Sequence, residues 1–203
     1  EAGRYVAAVQ VASLISFALF SANAILAPLI SEFYHGGRLG ELQRMLRWAA
    51  CGIALFCIPL GLILLFFGSW LLGWFGPSFV QGKGALDVLI LGWLVNALAG
   101  PVGFMMSMTG EHRRAAVVSA VAACSNIALN AVLIPQFGIL GAAIATTVTF
   151  SGWNCVLYVM VVRTHRIDPG ILSVFRARPS FASAARSNPH LPSVVRAAGQ
   201  SGS

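Results

Sequence analysis

Charged residues are scarce in this sequence. Lys, Arg, Asp and Glu make up 9% of the 203 residues, whereas hydrophobic residues make up 58%. A typical soluble domain has about 25% charged residues, because polar side chains must cover its water-exposed surface. The composition therefore argues against a soluble enzyme, a disulfide-stapled secreted domain and a nucleic-acid-binding module, and it predicts a membrane protein.

The sequence also lacks the residue groups on which catalysis and metal binding depend. It contains no CxxC pair, no recognisable Ser-His-Asp set, no paired carboxylates and no glycine-rich phosphate loop. Cys51, Cys57, Cys124 and Cys155 all lie inside apolar stretches, where cysteine acts as a small hydrophobic residue. We therefore expect no enzymatic activity, no cofactor and no metal site.

Long apolar stretches are abundant. A bilayer core about 30 Å thick is crossed by about 20 apolar residues of α-helix. Five stretches meet this requirement, and none contains Asp, Glu, Lys, Arg or His: 5–30, 48–75, 88–108, 115–134 and 139–162. The sequence therefore predicts an all-α fold, a polytopic membrane helix bundle with five transmembrane helices in residues 1–163.

The connections between these stretches predict the orientation of the bundle. Residues 39–47 place leucines opposite arginines, which predicts a short amphipathic helix on the membrane surface. Arginines are concentrated in the first and third connections and in the tail, so the positive-inside rule assigns these segments to the cytoplasm. Membrane lipid is the expected partner of the bundle, and nucleic acid is not.

The last forty residues differ in composition from the rest. Residues 163–203 hold six arginines and one aspartate among Ser, Ala and Pro. Such a segment buries too little apolar surface to offset its ordering entropy. We expect residues 164–203 to be a disordered, basic, cytoplasmic tail.

Polar and small residues form stripes on four of the five predicted helices. At 100° per residue, these residues fall on one face of each helix. The candidates for a substrate path are Asn23, Asn96, Gly100, Pro101, Gly103, Ser107, Asn126, Asn130, Ser151 and Asn154. Two interpretations remain open, helix–helix packing and a hydrated passage. Gly100 and Pro101 in mid-span predict a broken or flexible helix, with a static kink as the alternative.

A second set of small residues favours packing alone. Ala116, Ala120, Cys124 and Ala128 recur at four-residue spacing in the fourth stretch. Small side chains at this spacing let membrane helices approach one another closely. We expect this stripe to lie against another helix.

Several segments resemble a known family. They are NAILAPLI at 23–30 followed by Tyr34, NALAGPVGF at 96–104, MTG at 108–110, LIP at 133–135 and FGILGAAIAT at 137–146. Together they resemble the C-terminal part of the Wzx-like polysaccharide-biosynthesis flippases, members of the multidrug/oligosaccharidyl-lipid/polysaccharide exporter superfamily. The resemblance extends over roughly residues 5–163.

The resemblance implies a transporter of 12–14 helices in two halves, of which this chain is a fragment of the second half. It implies an undecaprenyl-diphosphate-linked oligosaccharide as substrate, moved across the bacterial inner membrane by alternating access. Cationic cavity residues of this family are thought to contact the diphosphate. Because the five stretches contain none, that contact is expected in the missing N-terminal half.

Two other functions remain open. A cation-coupled multidrug exporter of the same superfamily would need an acidic residue within the membrane, and the five stretches contain none. A non-transporting membrane subunit or anchor would use the polar stripes for packing alone. Thiol labelling of the striped positions distinguishes a passage from packing.

Overall fold

The computed structural model describes residues 2–165 and 167–171, and every regular element in these residues is helical. The helices are α1 Ala2–His35, α2 Leu39–Gly73, α3 Lys83–Ala99, α4 Val102–Met108, α5 His112–Phe137 and α6 Ile139–His165, with a 3₁₀ turn at Pro77–Gly82. Five segments of this part are long and apolar enough to cross a membrane. The predicted all-α bundle with five candidate spans is confirmed.

The first three long helices form the core of the bundle. α1, α2 and α3 pack against one another, α6 packs on α3, and α5 packs on α6. Ile15, Ile30, Leu46, Leu86 and Ile90 are fully buried between them. Each helix is apolar on several sides, and its few polar groups are shielded from lipid only where helices pack against one another.

The structure begins the second long helix earlier than the sequence predicts. Residues 39–47, predicted as a separate surface helix, are the first turns of α2, which continues to Gly73. Leu42 and Leu46 are fully buried, so the apolar side of this segment faces the bundle and not the membrane surface. The helix continues through residue 48, and the first proline of α2 is Pro59.

The third predicted span, 88–108, is divided into two helices. α3 ends at Ala99 and α4 begins at Val102. Gly100 has φ +78°, a left-handed conformation that favours glycine, and Pro101 has no N–H for a helical hydrogen bond. The helix is therefore broken at Gly100–Pro101, as one of the two sequence interpretations predicted.

The helix ends gather into two groups of different charge. Tyr34 Oη and Thr109 Oγ1 are hydrogen-bonded to His165, at 3.2 and 3.1 Å, and these contacts join the ends of α1, α4 and α6. Six arginines lie in this group, which we call the arginine-rich end: Arg38, Arg44, Arg47, Arg113, Arg114 and Arg163. At the opposite end, Arg4 donates to Gln81 Oε1 at 2.7 Å.

The predicted tail begins inside the folded bundle. Residues 164 and 165 are the last turn of α6, and residues 167–171 lie against the helices. Ile167 is fully buried, and Gln43 is hydrogen-bonded to Asp168. The prediction of disorder is thus contradicted for these residues, and its remainder, at 166 and 172–203, lies outside the described residues.

Candidate functional site

A cavity of 510 Å³ lies where α1, α3, α4, α5 and α6 meet. Its polar lining consists of Asn23, Asn96, Ser107, His112, Ser119 and Asn154. None of the described residues that line it is Asp, Glu, Lys or Arg. Its volume is within the range of about 300–1,000 Å³ that is typical of small-molecule sites.

The helix break builds one wall of this cavity. Gly100, Pro101, Val102 and Gly103 all line it. The break exposes backbone groups that a continuous helix would pair internally, and such backbone is tolerated at membrane depth only where protein or a hydrated cavity covers it. Irregular backbone beside a polar cavity is also a feature of transporter binding sites.

Seven of the ten candidate residues from the sequence line this cavity. They are Asn23, Asn96, Gly100, Pro101, Gly103, Ser107 and Asn154. Asn126 instead lines a neighbouring groove between α5 and α6, and Asn130 donates to the Asn126 side chain at 2.9 Å. Ser151 of α6 lines neither the cavity nor this groove. The stripes therefore converge on the cavity from α1, α3, α4 and α6, but not from the middle of α5.

Two asparagine side chains have polar atoms that the fold leaves unused. Asn154 is 1% exposed, and its Nδ2 donates to Phe150 O at 2.9 Å. In the part of the chain that the structure describes, the Oδ1 atoms of Asn154 and Asn23 are buried and have no hydrogen-bond partner. A buried, unpaired acceptor is unfavourable by about 1–3 kcal/mol, and both side chains belong to the wall of the cavity.

Aromatic residues, which the sequence prediction did not include, also line the cavity, among them Trp93, Phe150 and Trp153. Trp93 and Phe150 meet edge to face at 5.2 Å, and Phe150 and Trp153 stack at 5.9 Å with 6° between their planes. Trp153 Nε1 donates to Ser119 Oγ at 3.0 Å, which fixes the indole. Helical spacing from the asparagines could have identified them, since Trp93 precedes Asn96 by three residues and Phe150 precedes Asn154 by four.

Two of these aromatic residues also border a second cavity. This cavity of 380 Å³ lies towards the opposite end and is lined by Tyr5, Val9 and Thr146 as well as by Trp93 and Phe150. Trp93 and Phe150 thus line both cavities. On α1, α3 and α6, the residues that line the 510 Å³ cavity lie nearer the arginine-rich end, and those that line the 380 Å³ cavity lie nearer the opposite end.

Other polar residues of the stripes hold helices together. Thr147 Oγ1 donates to Val88 O at 2.9 Å, and this threonine packs closely on Gly92. Ser13 and Ser16 donate to carbonyls of their own helix. Thr147 thus joins two helices, whereas Ser13 and Ser16 bond within α1. The stripe of Ala116, Ala120, Cys124 and Ala128 was predicted to pack, but all four residues are exposed in this chain.

The described residues contain no group of three His, Cys, Asp or Glu side chains placed to hold a metal ion. The four cysteines are free thiols at separate positions. The chemistry available in the cavity is therefore that of amides, hydroxyls, one imidazole and aromatic rings.

Comparison with known proteins supports the membrane assignment. No family model and no solved structure matches the chain. It is 26% identical over 141 residues to an uncharacterized membrane protein of Methanocaldococcus jannaschii, MJ1068. The aligned region covers 68% of this chain and 28% of that relative's length. Together with the five apolar helices, this similarity identifies the chain as a polytopic membrane protein.

Proposed function

We propose that this chain is part of a transporter that moves a lipid-linked oligosaccharide across the membrane. The observation that carries the proposal is the cavity beside the broken helix, which combines an aromatic surface with unpaired amide oxygens. A protein that only anchors a complex has no need of such a cavity, because unfilled space and unpaired acceptors destabilise it.

The lining is suited to a neutral sugar. One face of a sugar ring is formed by C–H groups, which pack on aromatic rings such as Trp153 and Phe150. Its hydroxyls can exchange hydrogen bonds with the amide and hydroxyl side chains of the lining, such as Asn96 and Ser107. The volume of 510 Å³ accommodates a saccharide of one or two rings.

The lining gives less support to a cation-coupled multidrug exporter. Such an exporter needs a carboxylate within the membrane to bind the coupling cation or a cationic drug. No acidic residue lines the cavity among the described residues. The family resemblance at 96–104 and 137–146 is compatible with either substrate. The chemistry of the cavity lining therefore distinguishes them, and it favours the saccharide.

The proposal includes a partner unit. The chain spans 28% of the length of its relative, and α5, which lies beside the cavity, has no buried residue. We propose that a second group of helices completes the passage and supplies the cationic contact to the diphosphate. The arginine-rich end then faces the cytoplasm, and the membrane is the bacterial inner membrane.

Substrate protection of a single thiol tests the proposal. The four native cysteines are replaced by serine, and Ser107→Cys introduces one thiol into the cavity of the membrane-embedded protein. Labelling by a water-soluble maleimide is followed with and without farnesyl-diphosphate-linked N-acetylglucosamine. We expect the sugar lipid to slow labelling at least about fivefold, because a ligand at saturating concentration occludes the cavity.

Three comparisons make this test specific. Trp153→Ala removes the aromatic surface and should abolish protection, whereas Trp70→Ala, on the exposed face of α2, should preserve it. Farnesyl diphosphate without sugar should protect weakly. Protection by tetraphenylphosphonium but not by the sugar lipid would replace the proposal with the multidrug exporter, and a thiol that never reacts would favour a membrane anchor.

A further inference from the structure

Five residues after α6 fold back onto the bundle, and we call Ile167–Ile171 the strap. Ile167, Pro169 and Gly170 are buried. The strap lies behind the wall that Gly100–Val102 presents to the 510 Å³ cavity. It therefore contacts the broken helix from the side away from the proposed substrate.

Asp168 joins the strap to two helices. The Gln43 side chain of α2 pairs with both backbone groups of Asp168, with Nε2 donating to the carbonyl at 2.8 Å and Oε1 accepting from the N–H at 2.9 Å. Tyr158 of α6 donates its hydroxyl to Asp168 Oδ1 at 2.7 Å. The Gly170 N–H donates to the same oxygen at 3.2 Å, which fixes the turn of the strap.

The strap also replaces a hydrogen bond that the helix break removes. In a continuous helix the Leu98 carbonyl would accept from the Val102 N–H, four residues later. Here the Val102 N–H donates to Gly100 O at 2.8 Å, and Leu98 O instead accepts from the Ile171 N–H at 3.0 Å. The last turn of α3 is thus completed by the strap and not by its own chain.

Two glycines make this close approach possible. A Cβ atom on Gly100 would lie 2.2 Å from the Pro169 carbonyl oxygen, and one on Gly170 would lie 2.8 Å from the Leu98 carbonyl oxygen. Backbone therefore meets backbone on both sides of the contact. The strap therefore cannot move towards the turn at Gly100 without displacing it.

We infer that Asp168 is a positioning residue for the cavity: through the strap it holds the break at Gly100–Pro101 open and thereby fixes the distance between Asn96 and Ser107. Without the strap, Leu98 O lacks its donor and is available again to the Val102 N–H, and the break closes towards a kinked continuous helix. Because it assigns a role at the proposed transport site, this inference rests on the proposed function, but its test needs no cargo.

The test measures the break directly in the membrane-embedded full chain. Spin labels are attached to Asn96→Cys and Ser107→Cys after replacement of the four native cysteines, and their distance distribution is recorded by double electron–electron resonance. We expect one narrow distribution in the parent. Asp168→Ala should increase the population of a second distance at least about tenfold, since hydrogen bonds to a charged group are lost.

A conservative variant separates the proposed role from general stability. Asp168→Asn keeps an oxygen acceptor for Tyr158 and Gly170, so its second population should be smaller than that of Asp168→Ala. Thr147→Val removes a hydrogen bond of α3 and α6 remote from the strap and should lower thermal stability without changing this distance. If Asp168→Ala does not fold, Tyr158→Phe removes the hydrogen bond from Tyr158 to Asp168 and should give a smaller second population.

Three results would overturn the inference. An unchanged distribution in both Asp168→Ala and Tyr158→Phe would make the strap a mere anchor of the chain. A second distance in Asp168→Asn as large as in Asp168→Ala would exclude the acceptor role. The same second distance in Thr147→Val would assign the effect to loss of stability. Failure of sugar-lipid protection with this inference intact would instead count against the proposed function alone.

Discussion

α2 and α5 are both apolar enough to span a membrane, but they expose different surfaces. α2 buries one face in the core, and its other face carries bulky side chains such as Leu55, 79% exposed, and Phe66, 81% exposed. No residue of α5, all of which the structure describes, is buried, and its exposed residues include the small Ala116, Ala120 and Cys124 beside Val121, 60% exposed, and Ile127, 70% exposed. Hydropathy identifies both as spans but cannot tell which face meets lipid.

The side chains on the exposed faces of α2 and α5 indicate what each face contacts. Bulky apolar side chains are compatible with lipid chains, whereas small side chains at four-residue spacing are typical of helix–helix contact. α2 packs on α1 and α3, but α5 packs on α6 and, less extensively, on α4. We therefore assign the exposed face of α2 to lipid and propose that the exposed face of α5 meets a hydrated passage or the partner unit.

The largest predicted effect comes from the attachment of α5. A Cβ atom on Gly141 would lie 2.2 Å from the Leu133 carbonyl oxygen, so Gly141→Ala should separate the α5–α6 pair. We expect a loss of about 1–3 kcal/mol in unfolding free energy, measured by denaturant titration in detergent micelles. Gly152→Ala, in the same helix, places its Cβ in open space and should be neutral or stabilising. Equal effects of the two substitutions would contradict this view of the contact.

An intermediate effect is expected from thiol reactivity at the centres of the two helices. Cys124 of α5 should react with a water-soluble maleimide at least about ten times faster than a cysteine introduced at Leu55 of α2, because a thiolate forms poorly against lipid. Cys57, 1% exposed, provides the unreactive reference. The measurement is the labelling rate in native membranes. Comparable slow rates at positions 124 and 55 would place both faces in lipid and remove the distinction.

The smallest effect concerns the side-chain hydrogen bond between α5 and α6. Ser119→Ala removes the acceptor of Trp153 Nε1 and should reduce the unfolding free energy by about 0.5–1.5 kcal/mol. Ser69→Ala on the exposed face of α2 is the matched control and should change it by less than about 0.5 kcal/mol. Tryptophan emission should shift only in the first variant. A larger loss from Ser69→Ala would show that α2 depends on polar contacts as much as α5 does.

The cavity was partly predictable because its asparagines and glycines repeat at helical spacing. This spacing alone places Asn96, Gly100, Gly103 and Ser107 on one face. It could not tell that Thr147 packs on Gly92 while Asn154 faces the cavity, since both lie on the polar side of α6. The same spacing places Trp93 and Phe150 beside the asparagines, but it does not distinguish a cavity from a core or lipid contact, because aromatic residues suit all three.

Local composition and backbone chemistry establish the membrane environment and the five spans, and they mark Gly100–Pro101 as a break or a kink. Which helix faces meet, and the order of residues 167–171, depend on how the helices pack. Asp168 is held by Gln43, 125 residues earlier, and Ile171 by Leu98. Contacts between residues so far apart in the chain leave no periodic signal in the sequence. A segment whose composition predicts disorder can therefore be ordered by residues that become its neighbours only when the helices pack.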